Sequence, residues 1–328
     1  MRVLRNSKNI NIKSSQKRSL MNIGYYHGYK GYRYINNPSN RIAFTEFDEL
    51  LAIYNFDSHL KTLFYPSVMF IETALKNYVL ETITSATGTD SFPDVYNKLL
   101  DNYKNFSTAG KSYKNDHSRK SAEDKYKREL KKRLDLRNRI YKIQSDAFSN
   151  DNKIAKHYLE QDRSMPIWAI FELLSLGEFG HFVSCLNLTC RKNISSNLGI
   201  RQSDDNAALL PQRLIYAVKD LRNAIAHNDV IFDTRFKSSS IDKHVGNAIT
   251  NATGIKNITF DTITDYLIMI VYILKLLGTT KTELKKIVRD YEDIVEHLRT
   301  AIPTSIFNQI VHTNSTSKVH TLKQFISM

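Results

Sequence analysis

Residues 47–80 read FDELLAIYNFDSHLKTLFYPSVMFIETALKNYVL. Phe47, Leu50, Leu51 and Tyr54 fall on one face of a helix, and Phe56, Leu60, Phe64, Ile71, Leu75 and Val79 continue at three- and four-residue steps. That spacing predicts a long amphipathic helix, because a strand would alternate every second residue. Pro66 lacks an amide hydrogen and is expected to kink or split it. Glu72 lies among the apolar positions, either as a partner for a buried basic group or as a rim residue.

The same periodicity recurs along the chain. Pro166 can open a helix whose apolar face is Ile167, Ile170, Phe171, Leu174 and Leu176. Gly177 and Gly180 then either break it or let a neighbour pack closely, and His181 reads as a structural residue. Leu210, Leu214, Ala217, Leu221 and Ile225 form another stripe, and two further helices are predicted over 264–278 and 281–299. Only 11 Gly and 6 Pro punctuate 328 residues, and no alternation of strands with helices is visible, so the fold class is all-α. The expected organisation is a basic arm over 1–20 (loose, or a short first helix), one domain over 21–300, and a weakly structured tail over 301–328. Residues 86–110 read as a polar connection with short helical pieces, and 237–259, rich in Ser, Asn, Gly and Thr, as a loop.

Charge narrows the partners. The formal charge is +14, which points to nucleic acid or a membrane surface; the alternative is solubility alone. The longest apolar run, 266–278, is too short to span a bilayer, and the basic, polar N-terminus carries no secretory signal, so a cytoplasmic protein without membrane contact is expected. Cys185 and Cys190 are not at zinc spacing; buried free thiols are expected, with no metal and no cofactor. Between residues 111 and 142 stand 13 Lys or Arg against 5 Asp or Glu. This mostly helical segment is either an exposed face with internal salt pairs or a phosphate-contacting arm, in which Lys125, Lys127, Arg128, Lys131, Lys132, Arg133, Arg137 and Arg139 are the candidates. NIGYYHGYKGYRY, residues 22–34, holds 5 Tyr and 3 Gly and suits an irregular or hairpin-like segment. It serves either as a tyrosine plug on the core or as a stacking surface for RNA bases, assisted by Lys30 and Arg33. A glycine-rich phosphate loop, a His-Glu metal motif and a nucleophile elbow are all missing from the sequence, which disfavours those enzyme classes.

DLRNAIAHND, residues 220–229, places Arg222, Asn223 and His227 off the apolar stripe near a helix end. Metal-free RNA cleavage requires only proton transfer and charge stabilisation, because the attacking 2′-hydroxyl is already beside the phosphate. A histidine suits general acid or base work, an arginine fork suits phosphate oxygens, and an asparagine amide can orient either. On a straight helix Asn223 and His227 share a face, but Arg222 and His227 diverge by about 140°. Both reach one phosphate only if the helix ends or distorts there, or if a second copy contributes. The competing reading is a structural arginine and a histidine set against the helix dipole.

The pattern R-N-x-x-x-H resembles the signature of HEPN ribonucleases, here Arg222, Asn223 and His227. Three more blocks resemble the Abi-like (AbiD/AbiF) family of bacterial abortive-infection proteins: IGYYHGYKGYRYI, IYNFDSHLKTLFYPSVMFIETALKNYV and MPIWAIFELLSLGEFGHFV. With the motif they cover roughly residues 20–235 in the family's order; the C-terminal hundred residues add little. The resemblance implies an all-α, HEPN-like helical bundle, phage defence, RNA as target or partner, association with a small non-coding RNA, and a homodimer, since such nucleases build one site from two motifs and this chain has one. Lys61 and Lys76 stand where the family often has arginine, and lysine lacks the bidentate fork. The basic segment over 111–142 lies outside these blocks. The leading expectation is a metal-independent endoribonuclease. Its rivals are a non-catalytic RNA-binding module and a dimerising interaction protein; a DNA-binding helix-turn-helix is disfavoured, as no compact helix pair of that type is found.

Overall fold

The computed structural model describes residues 10–201, 203 and 205–328. Among them there are α-helices and short 3₁₀ and π segments, but only isolated bridges in place of strands. The fold is all-α. The chain clusters into two compact units, one made of Met1–Ile71 with Asp220–Met328 and the other of Glu72–Lys219, where a single domain over 21–300 is expected. Both boundaries fall inside helices, α2 (Phe47–Thr87) and α9 (Leu210–Ala226).

The Glu72–Lys219 unit contains α3 (Phe92–Lys98), a 3₁₀ turn over Asn102–Phe106, α4 (Asp116–Ser149), α5 (Lys153–Leu159), α6 (Ile167–Leu173), α7 (Leu176–Cys185) and α8 (Leu188–Asn197). Phe171 packs edge-to-face on Phe179 and Phe182, with centroids 5.3 and 5.0 Å apart. The basic segment forms α4, started by a reciprocal cap between Asn115 and Ser118 and held down by buried Leu136, Ile140 and Gln144. Gly177 and Gly180 do not break α7. A Cβ at Gly180 would stand 3.0 Å from the Tyr216 ring, so this glycine lets α9 approach. Cys185 and Cys190 are buried and free, and burial pushes their thiols up to about 11 and about 12.

The other unit is centred on α11 (Ile263–Leu276), buried at every position from Ile263 to Leu274: from Tyr266 onward it is apolar all round, and before that Thr264 and Asp265 are buried with polar partners. Among the described residues no helix is long and apolar enough to cross a membrane. Around α11 lie α10 (Lys243–Thr253), α12 (Lys281–Ala301) and α14 (Ser315–Ser327), while α13 (Thr304–Ile310) lies against α12. Two expectations are corrected here. The stretch 237–259 is not all loop: α10 runs through it, started by the Asp242 side chain and ended by Gly254 in the left-handed conformation. Its stripe of Val245, Ala248 and Ile249 is short and set among Asn, Thr and Gly, so composition hides it. The tail is not weakly structured either, since α13 and α14 occupy it. Only Val319, Leu322 and Ile326 form the apolar line of α14, and a buried charge adds the rest: Lys318 donates to the buried Asp265 at 2.6 Å and to the Asn257 carbonyl at 2.8 Å.

The N-terminal segment departs from expectation as well. After buried Ile10 and Ile12, α1 (Lys17–Ile23) ends at Gly24, whose φ of 71° suits a residue without Cβ, and a π-helix follows over Gly24–Lys30. The Tyr/Gly-rich stretch is therefore helical as far as Tyr32 and irregular only beyond it. The part of the expected basic arm over residues 1–9 lies outside the described residues. Nor does Pro66 split α2, which continues through it. Pro66 and Thr62 both face solvent, so the carbonyl of Thr62 that proline deprives of a donor can be hydrated.

Candidate functional site

The last turn of α9 carries the Arg-Asn-His motif. Leu214, Ala217, Leu221 and Ala224 are buried, while Arg222 and Asn223 are half-buried on the flank, with Arg222 Nη1 3.5 Å from Asn223 Oδ1. The helix stops at His227. Asn228 takes the left-handed conformation at φ 56°; its amide donates to the Ile225 carbonyl at 3.2 Å, and the Asp229 amide donates to the Ala224 carbonyl at 2.8 Å. This pair of reversed hydrogen bonds is the Schellman ending, with asparagine where glycine is commonest. His227, the cap residue directly after Ala226, is exposed, its amide donating to the Asn223 carbonyl at 2.9 Å. One condition for Arg222 and His227 to serve one phosphate, an end to the helix at the motif, is thus met.

The turn is pinned by α2. Lys61 Nζ donates to Asn228 Oδ1 at 2.9 Å and pairs with Asp57 Oδ2 at 2.8 Å. Asp57 is fully buried. Its other oxygen accepts from the amides of Ile231 and Phe232, both at 2.7 Å, and Tyr32 donates its hydroxyl to Oδ2 at 2.8 Å. Burial pushes the Asp57 carboxyl above its ordinary value, against the downward pull of Lys61 and of the hydrogen bonds from Tyr32 and Ile231. Burial also raises the Tyr32 phenol. Next along the loop, Arg235 pairs with Asp233 at 2.8 Å, donates to the carbonyls of Gly31 and Tyr34, and lies 4.0 Å over the Tyr34 ring. Asp233 also accepts from the Asn36 amide at 2.6 Å. Three separated stretches of sequence therefore meet around Asp57: the tyrosine segment, α2 and the loop after the motif.

Between them lies a cleft of about 500 Å³ whose lining includes Tyr26, Lys30, Arg33, Tyr34, Asn228 and Arg235. The expected RNA contacts Lys30 and Arg33 thus share a cleft with Asn228, the residue after His227. The tyrosines divide between the two readings of their segment: Tyr29 and Tyr32 are buried, Tyr25 and Tyr26 exposed.

The remaining expected RNA contacts lie on α4 in the other unit, and many of them have structural partners. Arg133 donates to the Tyr96 carbonyl at 3.0 Å and stacks 3.8 Å over its ring, with Arg137 5.6 Å away. Arg139 pairs with Glu178 at 2.6 Å, Lys125 sits 4.5 Å over Phe106, Lys131 pairs with Asp135 and Lys132 with Glu129. Lys127 and Arg128 are exposed. In the same unit Lys76 pairs with Glu72 at 3.3 Å and donates to the Leu174 carbonyl, so Glu72 is a partner for a basic group. His181 is half-buried, and burial lowers its ring below the usual histidine range. Among the described residues no group of three or more His, Cys, Asp or Glu could hold a metal ion.

Sequence reasoning singled out neither Asp57 nor Asn228 as site residues. The available signal is a carboxylate directly after Phe56 on an apolar stripe with a lysine four residues on; Asn228 and Asp229 read in the sequence as the close of the helix, not as part of the site. A family model described as Abi-like protein matches residues 18–233. No curated protein and no solved structure matches.

Proposed function

We propose, for a chain that belongs to the Abi-like protein family, a role in bacterial abortive infection as an RNA-binding, HEPN-type endoribonuclease working without metal. The observation that carries the reading is the ending of α9: the helix stops at His227, leaves it exposed, and fixes the next residue through Lys61. In the reaction the 2′-oxygen attacks the adjacent phosphorus and the bond to the 5′-oxygen breaks, giving a 2′,3′-cyclic phosphate and a 5′-hydroxyl. One proton leaves the 2′-hydroxyl and one reaches the 5′-oxygen. His227 serves as the acid or base for one of these transfers, and Arg222 stabilises the charge gathering on the phosphate. Asn223, hydrogen-bonded to Arg222, orients it. With one motif per chain, a second copy supplies the second set of groups. A small non-coding RNA in the cytoplasm is the proposed companion.

The test is to incubate labelled single-stranded RNA with the native protein and with His227→Ala protein in the presence of a chelator, scoring cyclic-phosphate ends. The variant is expected to keep its fold by circular dichroism and to lose cleavage by about 100-fold or more. Undiminished cleavage by His227→Ala overturns the assignment.

The exposed cations of α4 favour a second reading, in which the protein holds RNA without cutting it. Binding that survives Arg222→Ala and His227→Ala but collapses on Lys127→Ala/Arg128→Ala, with no cleavage by the native chain, would establish it.

A further inference from the structure

We infer that the cleft beside the motif turn is a receiving site for one unpaired nucleobase and its phosphate, so that RNA enters as single strand with a base stacked on Tyr26; this rests on the RNA reading above. Tyr26 is 70% exposed, while Tyr29 and Tyr32 in the same segment are buried as core. An open aromatic ring at the mouth of a cleft offers a face to a planar ligand at small desolvation cost, and every base has such a face. The cleft, about 500 Å³, lies within the size range of small-ligand sites.

Its cations divide by role. Arg235 is committed to Asp233, two carbonyls and the Tyr34 ring, so it forms wall. Lys30 and Arg33 line the cleft, Lys30 exposed and Arg33 half-buried. The Lys30 ammonium lies over the Tyr26 ring, 5.8 Å from its centre, and 5.6 Å from that of Tyr25, so a base stacks on the other face of Tyr26 with a positive charge within reach of its phosphate. Asp229 is the one acid of the lining and is outnumbered. An aromatic face with adjoining cations suits a nucleotide unit. A duplex keeps its bases paired and stacked, and cannot place one in the cleft without unpairing it. The lining includes Asn228, the residue after His227, so a base held here sets the strand beside the motif.

The experiment measures binding of two probes to the full chain by fluorescence anisotropy: a short 2′-O-methyl oligoadenylate, which lacks the attacking hydroxyl and cannot be cut, and a blunt 2′-O-methyl duplex. Tyr26→Ala should weaken single-strand binding by roughly 5- to 150-fold and leave duplex binding unchanged. Tyr26→Phe should bind as native. Lys30→Ala and Arg33→Ala should each reduce the salt slope of single-strand binding by about one contact. Native affinity in Tyr26→Ala, or equal loss on both probes, overturns the base site and leaves the RNA reading standing. No binding of either probe by the native chain overturns both. Cleavage by His227→Ala protein bears only on the catalytic assignment.

Discussion

At the scale of single residues, Asp57 holds more of the candidate site than any member of the motif. Four donors converge on its carboxylate, and replacing it with alanine strands an ammonium, a phenol and two amides in a water-poor interior. Asp57→Ala is expected to cost about 3–5 kcal/mol, read as a shift in the urea midpoint at unchanged slope. Asn228 separates backbone from side-chain effects. Glycine there keeps the left-handed turn and drops only the Lys61 contact, whereas alanine drops the contact and strains the backbone. Asn228→Ala should therefore be less stable than Asn228→Gly by about 1–2 kcal/mol in the same assay. Arg222, Asn223 and His227 stand out in the sequence because they fall within six residues and their chemistry is distinctive. Asp57 is not, because its amide partners lie 174 and 175 residues away, beyond the reach of any periodicity.

At the scale of helices, the α7–α9 contact is tuned to a missing side chain. With the Tyr216 ring and Ile215 within 3.0–3.2 Å of an added Cβ, Gly180→Val should destabilise by about 1–3 kcal/mol in thermal or urea melts, the cost of overpacking. The N-terminal cap of α7 should be pH-dependent. Burial pushes the Glu178 carboxyl up, but hydrogen bonds from Ser175 and Arg139 outweigh it and hold it below its ordinary range. A carboxyl lowered in the folded state contributes fully above its unfolded pKa of about 4.3 and loses that contribution as pH falls through the lower folded value. The stability advantage of native protein over Glu178→Gln should thus be full at neutral pH and shrink below about pH 4; an advantage unchanged by acid would refute this. Helices with long stripes, such as α2, α9, α11 and α12, are legible in the sequence. α10 and α14 are not, because a three-position apolar line among Ser, Thr and Asn looks like a loop until a partner surface covers it. Pro66 misleads for a related reason: its cost depends on whether the freed carbonyl meets water, which the residue type does not reveal.

At the scale of the whole molecule, composition reports the charge and the all-α class, but the division into two units is hidden. Domain boundaries are usually read from polar linkers, and here both lie within helices. The family match stops at residue 233, yet the unit that bears His227 extends to Met328 and includes the buried Lys318–Asp265 pair. A chain ended after residue 233 should therefore lose the cooperative unfolding of that unit while keeping helical signal from 72–219, as seen by native-state hydrogen exchange. Protection of the 47–71 amides equal to that in the full chain would refute this. The split order of the units also has a consequence for synthesis. A ribosome delivers residues 72–219 as one uninterrupted run, able to collapse as they emerge. Residues 10–71 must wait in the nascent chain for partners made after that run, so Asp57 stays without its amide donors until Ile231 and Phe232, 174 and 175 residues later, have emerged.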